Sequence, residues 1–389
     1  MKVLIIGGGA SGMTAALTAA HDKNNKVTLL ERQARVGRKL LATGNGRCNL
    51  TNTSPVEEHV HGGGAGLACK IMQDFDELAF FSSLGLVSVE QYGGRVYPLS
   101  DSAGSVLDVL RLALDASGVE VVTGANVRTA ERRNGRFYVV TETAVFEADR
   151  LIVACGGMAG GKLGGVRSGY DILRSFGHGC TKLYPTLVPV FTEGDITRSL
   201  KGVRAETEVR LGSSLSRGEL LFTERGISGP AAFDVSRQAA TEGGMLEINL
   251  LPGQESILPI LQKRCAEMPS LEAGSLFAGI LHSRLGLAVI KYSGFRPSSA
   301  CGSLRPADLE KLAYNSSHFR LQVKGVGSFD DAQITVGGIE TSGFKPDSLE
   351  SRLCEGLYAC GEVLDVDADC GGYNLRWAWA SGHLAGQLK

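Results

Sequence analysis

Three glycines and one carboxylate near the N-terminus have the types and spacing needed to hold a dinucleotide. Gly7, Gly9 and Gly12 follow the apolar run Lys2–Ile6 at G-x-G-x-x-G spacing, and Glu31 lies 31 − 12 = 19 residues beyond the third glycine. Gly7 permits the tight turn, Gly9 lets backbone approach a pyrophosphate, and Gly12 lets a helix close on a strand. The N–H groups at the start of the following helix, from Ala10 and Ser11 onward, attract the anion together with the helix dipole. Glu31, followed by Arg32, can accept hydrogen bonds from ribose hydroxyls. An Ala/Gly-rich βαβ unit without a ligand would share part of this pattern. Packing alone does not require glycine at all three places together with a terminal acid, so the ligand-binding reading is preferred.

The segment after Glu31 is dense in Gly, Asn, Thr and basic residues, which predicts a loop rather than a helix or strand. If it lies along the cofactor, Gly46 lets backbone come close beside Asn45 and Asn49, while Arg38, Lys39 and Arg47 balance phosphate charge. Cys48 sits in this loop next to Arg47, which could lower its pKa. No second cysteine lies close to it, so a two-cysteine redox cycle is disfavoured and a structural cysteine is expected. The chain has nine cysteines, an odd number, and no C-x-x-C pair, which fits free thiols in a reducing cytoplasm and gives no metal-site pattern. The seven histidines suggest no nucleophile or metal constellation, and no catalytic acid or base is assigned.

The elements that must position these residues are legible as patterns. Lys2–Ile6 and Lys26–Leu30 read as buried parallel strands flanking a helix from Met13 to Ala20. A single helix is expected over Ile71–Leu84, another over about Ser102–Ala116, a strand over Val119–Val122, and two antiparallel strands within Gly135–Glu147. His61–Gly66 superficially repeats the glycine fingerprint, but no strand-like run precedes it, so a loop or helix start is expected there. Leu151–Cys155 is an apolar strand ending on Gly156-Gly157. Leu357–Cys360 is another, ending on Gly361-Glu362. Gly371-Gly372-Tyr373-Asn374-Leu375 leads into a last helix.

The stretches GGGASG and LLERQARVGRKLLATGNGRCNLTN resemble a bacterial family of FAD flavoproteins related to glutathione reductase, often labelled aminoacetone-oxidase-like or bile-acid-reductase-like. GELLFTERGISGPAAF, DAQITVGGI and the closing GEVLDVD…GGYNLR are similar to further motifs of that family, so the likeness covers essentially the whole chain. Two departures are visible: Ser168 replaces an acid before Gly169-Tyr170, and Glu224 stands where a His is frequent. The resemblance implies an α/β fold: a Rossmann-like, glutathione-reductase-type FAD domain with an inserted β domain and a small helical domain. The expected limits are 1–185 and 322–389 for the FAD domain, 186–252 for the β insertion and 253–321 for the helical region. It implies non-covalent FAD, with Val127 offering backbone to the adenine, Gly156 and Gly157 returning the chain to the cofactor, and Gly361 and Glu362 at the ribityl chain and pyrophosphate. Gly372, Tyr373, Asn374 and Leu375 would meet the flavin edge.

The expected activity is therefore an FAD-dependent oxidoreduction of a small organic substrate, with NAD(P)H or O₂ bound transiently, since the chain has no second strand–GxGxxG–helix unit. A flavin-dependent tRNA-modifying protein and a flavin-binding protein without turnover are the alternatives. A net charge of −1, with 21% charged and 43% hydrophobic residues, gives no global electrostatic reason to expect nucleic acid or a membrane surface. No stretch is long and apolar enough to span a bilayer, and the direct start on a strand argues against an export signal. A cytoplasmic protein with a small-molecule partner is expected. Specificity is expected to reside in the insertion, folded over the flavin, and FAD affinity in the flanks.

Overall fold

The structure is a computed structural model describing all residues from Met1 to Lys389. It divides into two units. One comprises Met1–Tyr184 with Gln333–Lys389, the other Pro185–Ala332.

The first unit is built on five short apolar strands, β1 (Lys2–Ile6), β2 (Lys26–Glu31), β3 (Glu120–Thr123), β4 (Arg150–Val153) and β5 (Leu357–Ala359). They form one sheet in the order β5-β4-β1-β2-β3, every pair parallel. Continuous β-branched and Leu-rich runs suit strands covered on both faces, and Leu4, Ile5, Leu29, Ile152 and Leu357 are fully buried. Helix α1 (Ala10–Ala19) connects β1 to β2, and helix α2 (Tyr373–Gly386) follows β5. The chain moves outward from β1 to β2 and β3, then returns on the other side of β1 to β4 and β5. That reversal is a topological switch point, where a crevice opens at the carboxyl ends of the strands. In register, Ile6 lies opposite Val153 and Val153 opposite Ala359. The glycines after residues 6, 153 and 359 are thereby brought to one edge of the sheet.

Helix α2 crosses α1 at close range. A Cβ on Gly382 would lie 2.3 Å from the Ser11 carbonyl oxygen, so this crossing tolerates only glycine. The two buried tryptophans of α2 satisfy their indole N–H groups on backbone carbonyls, Trp377 on Gly361 (3.2 Å) and Trp379 on Leu50 (2.9 Å).

Some expectations are corrected here. Ile71–Leu84 is two helices, Ala65–Gln73 and Glu77–Ser83, because Asp76 caps the second by accepting from the Ala79 N–H at 2.8 Å. The segment after Glu31 is not all loop. It holds a short helix, Arg38–Ala42, a 3-10 turn, Thr43–Gly46, and a two-residue strand, Thr51–Asn52. The meander has three strands, Val127–Arg133, Arg136–Thr141 and Val145–Ala148. Asn134 and Gly135, both at positive φ, form its first turn, as hairpins of this length favour.

The second unit has its own core. Six strands close into a barrel in the order Val190–Thr192, Gly226–Ser228, Ser214–Phe222, Arg204–Leu211, Met245–Asn249 and Phe319–Val326. Val209, Leu220, Phe222, Ile227, Leu246 and Ile248 fill it. Helices Leu258–Glu267, Ser283–Tyr292 and Pro306–Ser317 occur between its fifth and sixth strands. The last begins at Arg305-Pro306-Ala307-Asp308, where Asp308 accepts from the Arg305 backbone N–H at 2.9 Å. A limit at 321 would cut the sixth strand, which pairs with Met245–Asn249 only after the helical excursion.

Candidate functional site

The carboxyl edge of the sheet forms an open cleft. It lies wholly within the first unit. Gly7, Gly9, Ala10 and Ser11 line it from the β1–α1 turn, and Glu31 and Arg32 from the end of β2. Arg38 and Lys39 come from the short helix, Val127 from the meander and Gly156 from beyond β4. Glu362 follows β5, and Asn374 and Leu375 open α2.

The three fingerprint glycines are distinguishable by what a methyl group would meet. Gly7 sits at φ +111°, and a Cβ there would lie 2.3 Å from the Ala154 carbonyl oxygen. On Gly12 it would lie 1.8 Å from the Gly7 carbonyl oxygen. On Gly9 it would meet nothing within 4 Å. Gly7 and Gly12 therefore serve packing, and Gly9 leaves open space at the N-terminus of α1. That helix has no side-chain cap and no acid in its first turn. Its first N–H groups are thus free to bind an anion.

Glu31 faces the same turn. Its Oε2 accepts from the Gly8 N–H at 2.8 Å and its Oε1 from the Gln33 N–H at 2.7 Å. Each oxygen keeps a further lone pair for a hydroxyl. Lys39 Nζ is 2.7 Å from Glu362 Oε2, and the Thr335 N–H donates to Glu362 Oε1 at 2.9 Å. The two charges, 30% and 22% exposed, hold each other at the cleft wall. Arg38 donates to the Gln33 side chain at 2.6 Å.

The other expected site residues lie off the cleft wall. Gly157 is packed behind Glu362, and Gly361 against Ser11. Asn45 and Gly46 are on an exposed turn. Arg47 is not directed to a phosphate. It pairs with Asp101 at 2.5 Å, donates to Gln91 and stacks over the Tyr97 ring at 4.1 Å. Cys48 is fully buried, and burial pushes its thiol up to about 12 with only partial relief from Thr43. It is a packing residue, not a thiolate nucleophile. Gly372 caps α2 in a left-handed conformation, and Tyr373 is buried beside it. Asn49 is buried against this corner, its Oδ1 without a partner.

These residues fit FAD. An open anion cradle, a carboxylate for ribose and the start of α2 line one continuous cleft. Glu31 could hold the adenosine ribose, the α1 turn the diphosphate, Glu362 the ribityl chain, and the start of α2 the flavin edge. FAD, when bound, supplies two-electron transfer. The chain supplies orientation, charge balance and a wall that excludes water.

Sequence reasoning missed Gln33, Thr335 and, above all, a cluster of His59, His61 and Asp369. His59 Nδ1 lies 2.9 Å from Asp369 Oδ2, and His61 Nε2 lies 2.8 Å from Asp369 Oδ1. The one signal for it was the His-Val-His alternation, which puts both imidazoles on one side of an extended segment.

The sheet, its switch point and the cleft define an FAD-dependent oxidoreductase of Rossmann type. The chain belongs to the family described as HI0933-like protein Rossmann domain, whose model matches residues 1–388. It is 37% identical over 402 residues to the 3-dehydro-bile acid delta(4,6)-reductase of Clostridium scindens, covering 99% of this chain and 98% of that one. It is 28% identical over 393 residues to the ribosomal RNA dihydrouridine synthase of Escherichia coli, covering 99% and 96%. Among solved structures it resembles the open conformation of a flavocytochrome c3 fumarate reductase. The TM-score there is 0.52 at 16% identity, covering 100% of this chain and 77% of that one, a likeness of fold. No helix is long and apolar enough to cross a membrane.

Proposed function

We propose that this protein uses non-covalent FAD to reduce a carbon–carbon double bond conjugated to a carbonyl, with NAD(P)H binding transiently as electron donor. The observation that carries this reading is the 37% identity, along the whole chain, to a reductase named for a 3-oxo substrate with double bonds at positions 4 and 6. The cleft supports it through Glu31, the open Gly9 and the start of α2, which suit FAD. The chain's one strand–GxGxxG–helix unit supports transient rather than resident NAD(P)H. A small organic enone is the favoured substrate class, and the second unit is the favoured seat of substrate choice.

A second substrate reading has its own support. Dihydrouridine arises from uridine by saturating a double bond conjugated to a carbonyl, and a relative of that name matches 99% of this chain. The chemistry is then the same and the substrate is ribosomal RNA. O₂ as oxidant and a flavin-binding role without turnover are the remaining outcomes.

The test is anaerobic. The yellow holoprotein is titrated with NADH and with NADPH while flavin absorbance is followed. The bleached protein is then mixed with a steroid 4,6-dien-3-one, with O₂, or with unmodified ribosomal RNA. Rapid recolouring by the dienone and not by RNA is expected. Recolouring only by RNA, with dihydrouridine formed, would replace the enone with the RNA reading. Absence of bleaching by either nucleotide would remove NAD(P)H as donor.

A further inference from the structure

Reduction of a conjugated double bond needs a hydride and a proton, and none of the expected cleft residues is an evident proton donor. The cluster at residues 59–61 and 369 meets that need. Val60–His61 pairs antiparallel with Asp367–Ala368, so that His61 lies opposite Asp367. The Asp369 N–H donates to the His59 carbonyl. Asn374, a cleft residue, closes the same loop: its Nδ2 donates to the Ala368 carbonyl at 2.7 Å, and its Oδ1 accepts from the Ala368 N–H at 3.0 Å. His59 stacks on Tyr373, the first residue of α2, with centroids 4.5 Å apart. Asp369 falls in sequence between two cleft-lining positions, Val366 and Asn374, and joins the cleft wall through Asn374, whose Nδ2 donates to the Asp369 carbonyl at 3.3 Å, rather than lining it itself.

Burial would raise the Asp369 carboxyl, but the hydrogen bonds from His61 and His59 outweigh it and hold it below its ordinary value. Asp369 orients both rings through one nitrogen each, His59 Nδ1 and His61 Nε2, as a carboxylate orients a catalytic imidazole. The three side chains are 38%, 31% and 35% exposed, enough to exchange protons with solvent. The charged and titratable groups around them are Asp367 on the paired strand, Asp365 beneath Gly63, and Glu57 and Glu58 before His59. Tyr373 faces His59 from α2, with Arg376 and Arg95 near it.

We propose that the His59–Asp369–His61 cluster is the proton-donating site of the reductive reaction. This rests on the enone reading above. FAD, when bound and reduced, would supply a hydride whose pair forms the new C–H bond at the far end of the conjugated system, while the displaced π pair would move onto the carbonyl as an enolate. An imidazolium N–H bond of the cluster breaks as the new C–H bond forms on the enolate carbon. In balance, the bound cofactor would give up two electrons, the substrate would gain two electrons and two hydrogens in all, and the neutral imidazole would regain its proton from solvent. Histidine suits this duty because it exchanges protons near neutral pH.

The test uses photoreduced holoprotein and androsta-4,6-diene-3,17-dione as the probe, with flavin reoxidation followed anaerobically from pH 5.5 to 9. His59→Gln/His61→Gln is expected to slow reoxidation about 100-fold or more at pH 7, in keeping with the usual worth of a general acid. It is also expected to remove the decline of rate with rising pH, while FAD content and melting temperature hold. Asp369→Asn, which keeps both imidazoles, is expected to slow the step less and to shift the pH profile. A readout independent of turnover is histidine-selective NMR of oxidised wild-type holoprotein. Adding androst-4-ene-3,17-dione is expected to move the His59 and His61 ring signals. If wild type reacts and the double variant keeps both its rate and its pH profile, the proposal falls while the enone reading stands. Silent histidine signals at saturating steroid would also overturn it. A wild type that the dienone cannot reoxidise overturns the enone reading and this proposal with it.

Discussion

Gly9→Ala and Gly12→Ala separate the glycine that faces a ligand from the glycine that packs. Gly9 has φ −84°, and nothing lies within 4 Å of the place a methyl group would take, so alanine fits the chain without strain. Replacing glycine at an unstrained site stabilises by about 0.4–1 kcal/mol through the unfolded chain. Losing glycine at an N-cap costs a comparable amount. The two offset, and the apoprotein should melt within about 2 °C of wild type. The methyl would occupy the space at the helix N-terminus that the diphosphate needs. Crowding there costs about 1–3 kcal/mol, and lengthening one charged hydrogen bond about 1.5 kcal/mol more. FAD affinity should therefore fall by roughly 3 kcal/mol, about 150-fold. In Gly12→Ala the methyl would lie 1.8 Å from a backbone oxygen that no rotamer change can move. That variant should lose more than about 3 kcal/mol of stability, above the usual range for overpacking. Calorimetric titration of apoprotein with FAD, beside thermal melts of both variants, reads the contrast. A Gly9→Ala protein binding FAD within threefold of wild type would refute the assignment of that space to the diphosphate.

Three further outcomes are expected. Glu31→Gln replaces one of two acceptors by a donor facing either the Gly8 or the Gln33 N–H, so FAD affinity should fall about 10- to 100-fold by the worth of charged hydrogen bonds; fluorescence titration with FAD, and with FMN as a control that lacks the adenosine, checks it. Glu77→Ala strands Arg376, whose Nε lies 3.1 Å from Glu77 Oε1 at 16% and 7% side-chain exposure; urea unfolding should show a loss of about 3–5 kcal/mol, partly recovered in Glu77→Leu/Arg376→Met. Although burial opposes it, Lys345 and the Gly356 N–H hold the Glu350 carboxyl below its reference of 4.5. Its contribution is therefore present above that value and lost as pH falls through the lower folded one, so Glu350→Gln should flatten the acid limb of a melting-temperature profile below about pH 5.

What was legible in the sequence is what local chain geometry dictates. Gly7, Gly9, Gly12 and Glu31 lie within one βαβ unit, where turn, helix start and strand end are fixed by near neighbours. Gly156 and Glu362 were expected from the resemblance to the FAD family, since an apolar strand ending in glycine is by itself equally a core strand followed by a turn, and both line the cleft. Arg47 was not, because its destination depends on Asp101 and Tyr97, brought together by a separate three-stranded sheet. The Ile71–Leu84 pattern concealed a cap at Asp76, since two short helices share the periodicity of one. Asp369 meets His59 and His61 across some 310 residues, through pairing of strands only two residues long, which carry no pattern of their own.

Charge shows the same division between local and global information. The chain as a whole carries −1, which gives no global electrostatic reason to expect nucleic acid or a membrane surface. The cleft differs: Arg32, Arg35, Arg38 and Lys39 line it against the carboxylates Glu31 and Glu362, a net of +2. A diphosphate brings two negative charges, so bound FAD would leave the cleft neutral. Lys39 is held by Glu362 and Arg38 by Gln33. A cleft with low-dielectric walls concentrates such a field, whereas exposed charges elsewhere are screened within about 8–10 Å in physiological salt. The net charge of this protein therefore says little about its partner. The four cations gathered between residues 32 and 39 carry the information, because the fold sets them beside the open end of α1.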